Sequence, residues 1–142
     1  MPTIKTDYLG ELRTQAVHLQ SGTQILTDAP TDNQGKGEAF SPTDLVAAAL
    51  GSCMMTIMGI AARRDGLELQ GSEMEITKGM SADAPRRIAR IELEMKMLTD
   101  RELSDAERAR LERAARTCPV ALSLHPDVVQ AVIFTWKVSQ EA

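Results

Sequence analysis

Cys53 and Cys118 are the only two thiols in the chain. They stand too far apart to be a zinc knuckle, whose ligands come in closely spaced pairs. Cys53 lies within the uncharged segment 45–62 (LVAAALGSCMMTIMGIAA), and Cys118 lies in the string Thr117-Cys118-Pro119-Val120. A cysteine among apolar side chains is ordinarily a small, inert hydrophobe, whereas one that ionises is a nucleophile. A helix interior disfavours the thiolate, and Cys53 is too deep in its helix to draw on the N-terminal dipole. A reactive Cys53 therefore needs a cation or donor from elsewhere in the fold. Thr56, about a turn further on, is one candidate, although its hydroxyl is as readily taken by the helix backbone. Cys118, just before a proline that opens a short helix, stands where backbone N–H groups favour negative charge. Such a pair suits attack by one thiol and resolution by the other. It suits core packing equally well.

The elements that must position these thiols are readable from caps and periodicity. Strands are expected over 4–19, interrupted near Gly10, and over 24–27, after the turn Gln20-Ser21-Gly22. A polar segment without periodicity, 29–39 (APTDNQGKGEA), reads as a mobile flap. Ser41-Pro42-Thr43-Asp44 is a capping box with proline at the first helical position. It opens a helix that should run to Arg63-Arg64 and stop at Gly66. That helix is apolar or small around its whole circumference, so it must be covered on every side, and a partner subunit is expected. A hairpin follows over 67–78 and 87–98, with Ala89, Ile91, Leu93, Met95 and Met97 on one face of its second strand. A second capping box, Ser104 to Glu107, opens a helix to about Thr117. A short helix over 119–124 and a strand over 128–138 complete an α+β chain, read as a single domain over 1–142.

Composition narrows the function classes. A net charge of −4 and scattered basic residues exclude a clustered phosphate-binding face, so no nucleic-acid partner is expected. The N-terminus, Met1-Pro2-Thr3-Ile4-Lys5, carries no apolar leader, and with two cysteines the expected location is a reducing cytoplasm. The segment 45–62 is rich in Ala, Gly, Ser and Thr, which favours a protein core over a membrane span.

The string Phe40-Ser41-Pro42-Thr43-Asp44-Leu45-Val46-Ala47-Ala48-Ala49-Leu50-Gly51-Ser52-Cys53 resembles the cysteine-bearing helix of the OsmC/Ohr family of thiol-dependent peroxidases. Ala115-Arg116-Thr117-Cys118-Pro119-Val120 is similar to that family's second cysteine motif. Element order and cysteine separation extend the resemblance over nearly the whole chain. It implies an OsmC-like fold in which antiparallel sheets wrap long central helices, as an intertwined homodimer. It implies that organic hydroperoxides are the substrate, Cys53 the nucleophile and Cys118 the resolving thiol. A dithiol, of dihydrolipoyl type in one branch, would act as reductant, with no metal or organic cofactor.

The family pairs its nucleophile with an arginine from the N-terminal strands and a glutamate on the cysteine helix. The position of that glutamate is Thr43 here, followed by Asp44, which the capping box already uses. Glu38 is a candidate substitute and Arg13 the candidate arginine; its guanidinium would stabilise a thiolate and a developing alkoxide. A solvent-facing strand arginine is the plainer reading of Arg13. Arg63, Arg64 and Arg87 are weaker candidates, explained by helix-end charge and strand alternation. His18 and His125 lack metal-ligand spacing and read as surface or hydrogen-bonded histidines. Met54, Met55 and Met58 read as core, or as an adaptable apolar pocket. The departure at Thr43 also supports an alternative: a redox-sensing or ligand-binding relative with little turnover.

Overall fold

The computed structural model describes residues 1–139 and divides into two compact units, the first Met1–Val46 and the second from Ala47 onward. In the first, β1 (Ile4–Gly10), β2 (Arg13–His18) and β3 (Gln24–Asp28) form an antiparallel sheet in the order β1-β2-β3. The break near Gly10 is a two-residue hairpin: Glu11 and Leu12 have φ of 54° and 65°, and Gly10 pairs with Arg13. Positive φ at both central residues is what a type I′ turn needs, and Asn-Gly is its usual sequence. Glu-Leu there holds two side chains in a conformation that costs about 1–2 kcal/mol per residue. The second turn closes through His18 N–H to Thr23 carbonyl (2.8 Å) and Gly22 N–H to His18 carbonyl (2.7 Å).

Segment 29–39 is tied back onto this sheet rather than left without partners. A short 3-10 turn spans Thr31–Asn33, and the Gly35 N–H reaches the Pro30 carbonyl at 2.9 Å. Gly35 is required by close approach: a Cβ there would stand 1.7 Å from the Ala29 carbonyl oxygen.

The long helix, α1 (Pro42–Arg64), begins as its capping box predicts. The Asp44 N–H donates to Ser41 Oγ at 3.1 Å, and the Ser41 N–H donates to Asp44 Oδ2 at 3.0 Å. Gly66, at φ 69°, follows its end. By length and composition alone α1 could cross a membrane. Within the second unit, however, Leu50, Met54, Met58 and Ala62 form one buried stripe that packs into its core. The opposite face, with Ser52, Thr56 and Ile60, is exposed. Within this chain, then, α1 is covered on one side only.

The second unit's sheet has the order β4 (Glu73–Met80), β5 (Ile88–Thr99), β6 (Val129–Val138). Alternation places Ile91, Leu93, Met95 and Met97 inward, all at most 1% exposed. Burying each such side chain contributes roughly 1.5–3 kcal/mol. Two expectations are corrected here. The sheets are not wholly antiparallel, because β6 pairs parallel to β5. The intervening α2 (Asp105–Arg116) and α3 (Pro119–Ser123) form the crossover that a parallel pair requires. And β4 starts at Glu73, not at Leu67: Leu67 N–H turns back to the Ala62 carbonyl and Ser72 N–H to the Leu69 carbonyl. Those local turn bonds replace the ladder, while Leu67 and Leu69 stay buried.

Candidate functional site

Within the second unit, α1 carries Cys53 and the junction of α2 and α3 carries Cys118. The α2 helix opens on the predicted capping box, with the Glu107 N–H donating to Ser104 Oγ at 3.1 Å. Arg101 and the Ser104 N–H hold the Glu107 carboxyl down to about 2. At the other end of α2, Pro119 bars helical geometry from the residue before it. Cys118 accordingly turns extended (φ −68°, ψ 155°) and caps α3 with its sulfur, which accepts the Ala121 N–H at 3.4 Å.

The two thiols are free, and Cys53 is near enough to act on the Cys118 thiol. Their settings differ. Cys53 is partly open to solvent, whereas Cys118 is 0% exposed. The helix-start position should help a Cys118 thiolate, and the Ala121 and Val120 N–H groups do pull that way. Burial outweighs them and pushes the Cys118 thiol up, and the neighbouring Cys53 pushes it further. The expected electrostatic advantage of Cys118 is thus reversed by desolvation. What results is a partly open cysteine near a sealed one whose thiol is held protonated. Met54 and Met58, at 0% exposure, are core residues, and Met55 lies partly buried against that core.

The first unit carries a separate charged cluster. Arg13 and Asp28 are cross-strand partners in the β2–β3 ladder. Arg13 Nε donates to Asp28 Oδ1 at 2.7 Å and Nη2 to Oδ2 at 2.9 Å, a bidentate pair. Nη2 also reaches Glu38 Oε1 at 2.8 Å, and the Glu38 N–H donates to Asp28 Oδ2 at 3.0 Å. Asp28 is 1% exposed, Arg13 29% and Glu38 64%. The Arg13 hydrogen bond, set against burial, holds the Asp28 carboxyl below the usual carboxylate range.

Glu38, the substitute carboxylate expected from the sequence, does contact Arg13. The larger partner, Asp28, falls one residue past the expected end of its strand and was missed. A signal for it exists: a turn that pairs His18 with Thr23 places Arg13 opposite Asp28. Asp44 caps α1 as anticipated, and the Thr43 hydroxyl lies 3.2 Å from that of Ser41.

The remaining candidates are accounted for locally. Arg87 bonds the Pro85 carbonyl at 2.8 Å and Asp83 at 3.2 Å, and Arg63 and Arg64 are exposed at the end of α1. His18 Nδ1 bonds the Ser21 hydroxyl at 2.6 Å, and His125 Nδ1 accepts the Asp127 N–H at 3.0 Å, both at the surface. Among the described residues no cluster of three metal-ligating side chains forms.

An α+β architecture with a long helix that presents an open thiol to a sealed one defines a two-cysteine thiol protein. Residues 35–132 match the family described as OsmC-like protein, and the chain belongs to that family. A crystal structure from Psychrobacter arcticus 273-4, provisionally assigned as an osmotic stress induced and detoxification response protein, is 51% identical to it. That match covers 95% of this chain and 96% of that one, with a TM-score of 0.89. The organic hydroperoxide resistance protein OsmC from Legionella pneumophila has the same fold at 16% identity and TM-score 0.69, covering 95% and 98% of the two chains. The organic hydroperoxide resistance protein OhrB of Bacillus subtilis matches at 17% identity and TM-score 0.66, covering 94% and 98%. A comparison with curated protein sequences finds no match.

Proposed function

We propose that this protein acts in defence against peroxide stress as a thiol-dependent peroxidase that reduces organic hydroperoxides. The observation that carries the reading is a partly open Cys53 placed near enough to a fully buried Cys118 to push its thiol up. The Cys53 thiolate attacks the distal oxygen of R–O–OH, an S–O bond forms, and the O–O bond breaks. Its electron pair leaves with the alkoxide, which takes a proton from water to become the alcohol. Sulfur is oxidised by two electrons and the peroxide is reduced by two. The resulting sulfenic acid condenses with the Cys118 thiol, releasing water and forming a disulfide. An external dithiol, of dihydrolipoyl type, then exchanges with the disulfide and restores both thiols.

The inequality of the two sulfurs suits this order of events. An open sulfur meets the peroxide, and a sealed one is protected from it until the sulfenic acid forms beside it. Arg13 is the third residue assigned to the reaction, as the cation that stabilises the leaving alkoxide. The working form is a homodimer in a reducing cytoplasm. The exposed apolar side chains of the first unit (Ile4, Tyr8, Leu9, Ile25 and Leu26) and the open face of α1 support a partner copy.

Reduced protein mixed with cumene hydroperoxide should lose Cys53 thiol first and then show a Cys53–Cys118 disulfide by mass spectrometry. Cys53→Ser should abolish peroxide consumption with a dithiol. Oxidation of wild-type Cys53 no faster than that of a free thiol would sink the proposal.

A further inference from the structure

A disulfide offers two sulfurs to an incoming thiolate, and the two ends of a Cys53–Cys118 bond differ in what surrounds them. Displacement at sulfur is in line: the thiolate enters on the far side of one sulfur, and the other sulfur leaves. The surroundings of Cys118 are protein throughout. It has no exposed surface and belongs to the core cluster that includes Leu111, Ala115 and Ala121. Cys53 packs against that cluster and keeps part of its surface open. Both cysteines lie in the second unit, so the contrast is internal to it. A partner copy can add cover to either residue but cannot uncover Cys118. Leaving-group strength alone favours the opposite order, because burial raises the Cys118 thiol and a thiol that is hard to ionise leaves slowly. The fold softens this at one point. Cys118 Sγ caps α3, and the Ala121 N–H donates to it at 3.4 Å, so a released thiolate returns to a backbone donor already aimed at sulfur. Access and leaving-group strength oppose each other, and a sealed sulfur cannot be entered in line, so access decides.

We propose that the reductant opens the disulfide at Cys53, so that Cys53 carries the mixed disulfide and Cys118 is the sulfur released, onto the Ala121 N–H. For its place in a cycle this rests on the peroxidase reading above. The reductant thiolate forms an S–S bond to Cys53 Sγ, and the Cys53–Cys118 bond breaks with its electron pair on Cys118. The proton that Cys118 takes up balances the one that the second thiol of the dithiol gives up. That second thiolate closes a ring on the reductant's first sulfur and expels Cys53 as the thiolate. The dithiol loses two electrons and the protein disulfide gains them. Cys53, the residue that meets the peroxide, is therefore the last to be set free.

The test uses the wild-type chain and needs no peroxide. Diamide takes two electrons and two protons from the thiols, becoming the hydrazine, and leaves the Cys53–Cys118 disulfide. The oxidised protein is mixed with 2-mercaptoethanol, whose single thiol cannot close a ring, and the reaction is stopped with acid at a series of short times. Free thiols are then blocked with N-ethylmaleimide in denaturant, and peptide mass spectrometry reads which cysteine carries the adduct and which the maleimide. Extrapolated to zero time, before any transfer between neighbouring sulfurs, the adduct should sit on Cys53 in roughly tenfold excess over Cys118. Equal adducts, or more on Cys118, overturn the proposal and leave the peroxidase reading standing. Failure of diamide to join the two cysteines overturns it as well, since there is then no bond to open. If the disulfide forms with diamide but cumene hydroperoxide oxidises Cys53 no faster than a free thiol, the peroxidase reading fails. The site of opening is still decided by the adduct ratio.

Discussion

In the first unit the chemistry-bearing groups are charged and sit on a sheet whose large hydrophobics, Tyr8, Leu9, Ile25 and Leu26 among them, remain exposed. In the second unit the groups are two neutral-size sulfurs bordering a core in which Leu50, Met54, Leu93 and Met95 are fully buried. The two are positioned by different physics. Hydrogen-bond register sets Arg13, Asp28 and Glu38, and apolar burial sets Cys53 and Cys118. Electrostatics also runs in opposite directions. In the first unit a partner charge wins over burial and keeps Asp28 ionised, whereas in the second burial wins over helix N–H groups and keeps Cys118 protonated. A buried position therefore does not by itself decide the charge state. The strength of the partner does.

Four measurements would break or sharpen that contrast. Leu93→Ala removes a fully buried side chain from the second core and should cost about 2–5 kcal/mol of stability in a urea titration, with the midpoint shifted and the slope kept. A loss below about 1 kcal/mol would mean the core is not what positions the thiols. Gly35→Ala probes the other unit. Its Cβ would collide with the Ala29 backbone, so segment 29–39 must rearrange at a cost of roughly 1–3 kcal/mol. The accompanying readout is loss of the Glu38 contact with Arg13, visible in the Arg13 side-chain NMR signals.

The third measurement is pH dependence. Asp28 has its folded value lowered, so the stability it contributes is present at neutral pH and is lost as pH falls through that lowered value. Cys118 has its folded value raised, so its contribution is intact below the ordinary thiol range and is lost as pH rises through the raised value. Asp28→Asn should flatten only the acid limb of a stability–pH curve, and Cys118→Ala only the alkaline limb. Both substitutions acting on the same limb would contradict the contrast. The smallest effect is expected from Leu12→Gly, which relieves a positive φ and should stabilise the protein by about 0.5 kcal/mol once the added freedom of the unfolded chain is subtracted. Calorimetry would check the sign.

Much of the helices and of the second sheet was legible from the residues. Capping boxes marked the starts of α1 and α2, and alternation in β5 named its inward face correctly. These are local signals, written in neighbouring residues. The parallel pairing of β6 was not legible, because it depends on where a crossover returns rather than on any pattern within the strand. The reach of Cys118 to the Ala121 N–H followed from Pro119, but the sign of the net effect on its thiol did not. Burial is a property of the assembled core. In the first unit the arginine was found through a motif and its main carboxylate was not. Asp28 has no periodic partner in the sequence, and its relation to Arg13 exists only once the pairing of two strands is fixed. The Glu11-Leu12 turn was recognised only as an interruption, since neither residue is one that such a turn favours.

The hairpin tip at residues 19–22 acquires an unexpected weight from this. Loop tips are where proteins usually absorb insertions and deletions without consequence. Here the tip counts residues for the ladder that sets Arg13 opposite Asp28. A single inserted residue carried into the ladder would slide β3 by one place, put Thr27 across from the guanidinium, and leave the carboxylate facing away. The length of an otherwise ordinary surface turn is thus a spacer for the cluster, and related chains that keep this arginine–aspartate pair should show that length to be far less variable than the residues within it.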